Sequence, residues 1–101
     1  MIVGETMDNS IFDWDSENFG HIAKHNVAPE EAEEVILGDP LDGGFEIVDG
    51  EERWTYIGET VEARILRVVI TIRGERARVV TAFEAEKHWK LLYLKQRAGL
   101  Q

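Results

Sequence analysis

From Arg64 to Phe83 the chain alternates apolar and polar positions twice, RILRVVITIRGERARVVTAF, with Gly74-Glu75 between the two runs. Period-two alternation marks a strand with one buried face, and Gly at the first position of a two-residue loop suits a type II′ turn. The stretch therefore predicts one β-hairpin. Counting outward from the turn pairs Arg73 with Arg76, Ile72 with Ala77, Thr71 with Arg78, Ile70 with Val79, Val69 with Val80, Val68 with Thr81, and Leu66 with Phe83. In that register Leu66, Val68, Ile70, Ile72, Ala77, Val79, Thr81 and Phe83 form an apolar face, and Arg67, Arg73, Arg76 and Arg78 share the other around Val69 and Val80.

The rest of the pattern supplies helices before and after this hairpin and a second pair of strands. Residues 1–10 lack periodicity and are polar after Val3, which predicts a disordered lead-in, with Met7 an alternative start. Residues 11–14 read as a short strand. Asp15 or Ser16 can cap a helix reaching about His25, with Phe19, Ile22 and Ala23 on its apolar side and Asn26 at the left-handed stop. Pro29 suits the first position of a second helix that buries Ala32, Val35 and Ile36 and ends at Gly38 and Pro40, leaving a loop over residues 39–44. Residues 45–48 and 53–58 read as strands joined by Asp49-Gly50-Glu51-Glu52, with Trp54 and Tyr56 facing the core. A last helix runs from about Glu84 to Arg97, with Ala85, Trp89, Leu92 and Tyr93 along one stripe. Leu91 and Leu94 lie off that stripe, so the apolar arc predicts association with a partner or a second copy. The order β-α-α-β-β-β-β-α gives an α+β fold, an antiparallel sheet covered on one face, with residues 11–98 as one domain.

Composition narrows the function classes. A chain of 101 residues without cysteine has no apolar run of about 18 residues and no leader pattern, which points to the cytoplasm. Twenty acids against eleven Lys and Arg give a net charge of −9, which excludes a nonspecific nucleic-acid coat. The acids cluster in residues 30–34, 39–52 and 59–62, however, so the hairpin's arginine face stays locally basic. Guanidinium groups pair with phosphate oxygens bidentately, which makes that face a candidate phosphate site; arginines paired with nearby acids on an exposed strand face are the other reading. His21 and His25, four apart with Glu17 four before, have helical metal spacing but no third ligand, so no metal is expected and no cofactor is implied. His88 with Glu84 is similar. Trp14, Trp54 and Trp89 suit a core or a base-stacking surface. A Gly-rich phosphate loop and a nucleophile elbow are both absent from the sequence.

Several stretches together resemble the BrnT family, the toxin halves of BrnT–BrnA toxin-antitoxin pairs. They are Trp14-Asp15 with Asn18, Lys24-His25-Asn26-Val27, the helix from Glu30 to Val35, Glu52-Arg53, Ile57-Gly58, and Arg78-Val79-Val80-Thr81-Ala82. The resemblance implies a RelE-like fold, metal-independent RNA cleavage by attack of a ribose 2′-oxygen on the adjacent phosphate, and silencing by a small BrnA-like antitoxin. Of the residues in or near the matching segments it assigns proton transfer to His25 and phosphate contact to Arg53, Arg73 and Arg78, with Lys24 beside them on the RNA; the basic hairpin face adds Arg67 and Arg76 to Arg73 as RNA contacts. The family commonly carries Arg where this chain has Phe83, which the expected register turns into the core. The alternative, favoured by the net acidity, is a catalytically degenerate relative that serves as a protein-binding or self-associating module.

Overall fold

Both alternating runs pair as strands of one antiparallel sheet. The computed structural model describes residues 11–100, so the expected lead-in at residues 1–10 lies outside the described residues. The described residues form an α+β fold: helices α1 (Ser16–Ala23) and α2 (Pro29–Leu37), strands β1 (Leu41–Val48), β2 (Glu51–Glu59), β3 (Ile65–Arg73) and β4 (Arg76–Glu84), and helix α3 (Lys87–Arg97). The sheet order is β1-β2-β3-β4 with every neighbour antiparallel. Asp49 and Gly50 both take positive φ, 51° and 80°, as a tight hairpin turn between β1 and β2 requires, and Gly74 does so at 62° between β3 and β4. No helix among the described residues is long and apolar enough to cross a membrane.

The β3–β4 register follows the expected one for four pairs, Arg73 with Arg76 through Ile70 with Val79, and then slips. Val80 is an extra residue, a bulge, after which Val69 pairs with Thr81, Val68 with Ala82, Arg67 with Phe83, and Leu66 with Glu84. An extra residue reverses every later side chain. Ala82, fully buried, takes the core position expected of Thr81 or Phe83. Phe83 instead joins Arg67 on the arginine face, where it is half-buried with the Arg67 guanidinium 5.7 Å from its ring centre. The expectation that Phe83 packs into the core is thus overturned.

On the first sheet face Ile22, Val27, Ala32 and Val35 pack against Leu66, Val68, Ile70, Val79 and Ala82, with Trp14, Trp54 and Tyr56 at the margin. Gly58 lets α2 approach β2, since a Cβ there would sit 2.9 Å from Val35 Cγ1. Contrary to the expected one-sided cover, α3 closes one end of the opposite face, where Ile57, Ala85 and Tyr93 form a second small core with Leu41, Ile65 and Trp89. Ile57 alternates out of phase with Trp54 and Tyr56, and its burial requires that cover.

Other corrections have local causes. Asn18, not Phe19, faces inward, because Asn18 Oδ1 accepts the Asp15 N–H at 2.8 Å while Asp15 Oδ1 accepts from Glu17 N and Asn18 N, a reciprocal cap that points this side of the first turn at the sheet. Phe19 is 52% exposed. Helix α1 stops at Ala23, and Asn26 takes the left-handed φ of 62°. The expected loop over residues 39–44 is already strand from Leu41, with an irregularity between Asp42 and Gly44. Strand β4 continues to Glu84, so the last helix starts at Lys87, and Leu92 lies exposed with Leu91 and Leu94.

The strand expected at residues 11–14 shrinks to a single parallel bridge, Phe12 with Ala77. Asp13 N donates to Ala77 O and Ala77 N to Ile11 O, each at 2.8 Å. Asn18 Nδ2 donates to Val79 O at 3.1 Å. These bonds cover the outer edge of β4 and lay α1 alongside it.

Candidate nucleic-acid interface

Arg78 fixes where α1 sits. Its side chain is 5% exposed, and its two terminal nitrogens donate to the two Asp15 carboxylate oxygens at 3.0 and 3.1 Å, with Glu17 Oε1 at 3.2 Å and Asp13 Oδ2 at 3.6 Å. The Asp15 carboxyl is held below its usual range, chiefly by the hydrogen bond from Arg78 and then by the Asn18 N–H; Arg78 is raised in turn, chiefly by Asp15. Asp15 is also the cap of α1, so one carboxylate joins the helix start to β4.

Beside this cluster a groove of about 740 Å³ opens between the polar side of α1 and the arginine face of the sheet. His21 comes from α1 and Lys24 from the cap at its C-terminal end, Glu51 and Arg53 from the start of β2, Arg73 from the end of β3, and Arg78 and Thr81 from β4. Its lining carries four cations, Lys24, Arg53, Arg73 and Arg78, against the carboxylates of Glu17 and Glu51, in a chain of net charge −9. Glu51 spaces two of the arginines, accepting from Arg53 Nε at 3.0 Å and lying 3.7 Å from Arg73 Nη2. Arg73 remains 55% exposed. His21 Nε2 meets Thr81 Oγ1 at 3.1 Å. That contact depends on the bulge, which brings Thr81 onto the groove face.

The groove gathers Lys24, Arg53, Arg73 and Arg78, and leaves out three of the residues expected to act with them. His25 lies beyond the end of α1, exposed, its ring edge-on to His21 at 5.5 Å and to Phe83 at 5.7 Å. Arg67 turns to Glu86 at 3.1 Å. Arg76 donates to Phe12 O at 2.6 Å, near the covered edge of β4. Trp54 and Trp89 pack at the margins of the two cores, and Trp14 Nε1 donates to Glu33 at 2.8 Å. Glu17 turns to Arg78 rather than to His21, and no group of three or more His, Asp or Glu side chains among the described residues could hold a metal.

Sequence reasoning missed Thr81 and Glu51, and the acids around Arg78. The spacing Asp15-x-x-Asn18 was the available signal, since a reciprocal cap fixes which way the first turn faces.

An antiparallel sheet whose groove against α1 is lined by Lys24, Arg53, Arg73, Arg78 and His21 defines a small α+β protein with a polar, arginine-rich cleft. Residues 14–88 match the family described as "Ribonuclease toxin, BrnT, of type II toxin-antitoxin system", and the chain belongs to this family. The groove-lining residues fall inside the matched span, while α3 falls almost wholly outside it. No curated protein matches the chain.

Proposed function

We propose that the groove binds single-stranded RNA and cleaves it without a metal, and that an antitoxin polypeptide silences this activity. In this reading His21 takes the proton from a ribose 2′-hydroxyl as its oxygen attacks the adjacent phosphorus. The bond to the 5′-oxygen breaks, that oxygen takes a proton from Lys24, and a 2′,3′-cyclic phosphate remains. Arg53 and Arg73, spaced by Glu51, balance charge on the crowded phosphate. The Thr81 hydroxyl orients the His21 ring, and His25 backs it from outside the groove. Arg78 is a positioning residue, since its guanidinium is engaged by three carboxylates.

The observation that carries the reading is the convergence of His21, Lys24, Arg53 and Arg73 on one groove of an acidic chain, in a family of ribonuclease toxins. The test is cleavage of a single-stranded RNA with and without a chelator. The expected result is chelator-insensitive cleavage that ends in a cyclic phosphate. His21→Ala should slow it by about 10²–10⁴-fold, and His25→Ala by less than about tenfold. Cleavage lost on chelation contradicts the metal-free step. A wild-type chain that binds RNA and leaves it intact supports the noncatalytic reading instead.

A further inference from the structure

The two edges of the sheet are treated differently. The outer edge of β4 is covered by residues 11–13 and by Asn18, whereas β1 has no strand on its outer side among the described residues. An uncovered edge strand normally carries Lys or Pro, is very short, or is broken by a bulge. Strand β1, LDGGFEIV, has eight residues and neither Lys nor Pro, and its one irregularity, between Asp42 and Gly44, leaves Phe45 to Val48 regularly paired on the inner side. Beside that edge the first sheet face runs past the reach of α1 and α2. Phe45 and Ile47 of β1 and Ile72 of β3 stay 53%, 62% and 50% exposed, with Trp54 between them and 5.3 Å from Phe45, ring centre to ring centre. Pairing of Phe45 with Trp54, and of Ile47 with Glu52, places these side chains on one face. Monomers rarely leave such a contiguous apolar surface open.

The rim of this surface selects its occupant. Asp49 and Glu52 border it, and neither forms an ion pair among the described residues. A second copy docked along the same edge would bring Asp42, Glu46 and Asp49 and no Lys or Arg to this rim, so it adds like charge. Residues 1–10 carry Glu5 and Asp8 and no Lys or Arg, so they bring the wrong charge as well. We infer that β1 and the Phe45–Ile47–Trp54–Ile72 surface take a basic, amphipathic segment of a partner polypeptide, which adds as a strand along β1. Alternate apolar side chains of the segment cover Phe45 and Ile47, and its Lys or Arg residues meet Asp49 and Glu52. Glu52 adjoins Glu51, the carboxylate that spaces Arg53 and Arg73, so the bound segment reaches the end of the RNA groove. This inference rests on the proposed antitoxin and names the surface it uses.

The test uses the full chain and the purified product of the reading frame adjoining its gene. Titration calorimetry should show binding that weakens as salt rises, and amide exchange should slow in residues 41–48 of the complex. Ile47→Lys with Ile72→Lys should weaken binding by about 30-fold or more, with melting temperature and RNA affinity unchanged, since both side chains are exposed and outside the groove. If the double variant binds as the wild type does, or protection falls on Leu91 and Leu94 instead, the β1 surface is wrong while the antitoxin reading stands. If the wild type does not bind that product at all, both fail. Concentration-dependent self-association that the double variant abolishes would assign the surface to a second copy and overturn the inference.

Discussion

Arg78 and Asp15, 63 residues apart, form a two-point ion pair in which two guanidinium nitrogens meet two carboxylate oxygens at 3.0 and 3.1 Å. Because Asp15 also caps α1, the pair sets the height of that helix along β4 and brings His21 to Thr81. The geometry of the groove therefore depends on an ion pair at its margin.

Removing the Arg78 side chain should destabilise the fold by about 2 kcal/mol. Breaking a fully buried pair costs more, but Asp15 and Glu17 are 51% and 84% exposed, so water screens the acids left behind. Arg78→Lys keeps the charge without the planar fork and should recover less than half of the loss. Urea melts of Arg78→Ala and Arg78→Lys check this; equal stability of the two and the wild type would show that the pair is incidental.

The same pair gives the fold an acid limb. The Asp15 carboxyl is depressed in the folded chain, chiefly by Arg78, so its contribution is fully present above the ordinary aspartate value of about 3.9 and is lost as pH falls through the lower folded value. Glu31 behaves likewise, held down first by the Ala28 N–H and then by Arg64. Stability should therefore fall below about pH 4. Asp15→Asn should be less stable than the wild type at neutral pH and should lose less on acidification. Melting curves from pH 7 to pH 2 decide, and parallel curves for the two proteins would contradict the linkage.

The bulge at Val80 puts Phe83 on the arginine face, half-buried, in reach of Arg67 and His25. Phe83→Arg should therefore be tolerated to within about 1.5 kcal/mol. Were Phe83 in the core, as unbroken alternation predicts, the buried charge would cost well over 3 kcal/mol, roughly the penalty of an unpaired core ion. Denaturation of this one variant separates the two registers.

The sequence pattern carries most of the sheet and little of the bulge. Gly74-Glu75 and the flanking alternation fix the turn and four pairs. Past Ile70, however, Val79, Val80, Thr81 and Ala82 are small or apolar enough for either face, so hydrophobic pattern could not reveal the slip. The cations Lys24, Arg53 and Arg73 stand out against an acidic chain and do converge on the groove. His25 looks equivalent to His21 from spacing alone. The end of α1 at Ala23 separates them, leaving His21 on the helix and His25 in the turn beyond it. The acids that pair with Arg78 are not legible from the sequence, because they lie more than 60 residues earlier in the chain.

The salt dependence of RNA affinity tests most directly whether the groove, rather than the whole arginine face, holds the polyanion. Removing one cation that neutralises a phosphate of a single strand flattens the slope of log affinity against log salt by about 0.7. Arg73 lines the groove and is 55% exposed, whereas Arg76, paired with it across the turn, donates to Phe12 O outside the groove. Arg73→Ala should weaken binding to a single-stranded RNA and flatten the slope by about 0.7, and Arg76→Ala should leave the slope unchanged. A slope flattened by Arg76→Ala and untouched by Arg73→Ala would contradict the groove as the RNA site.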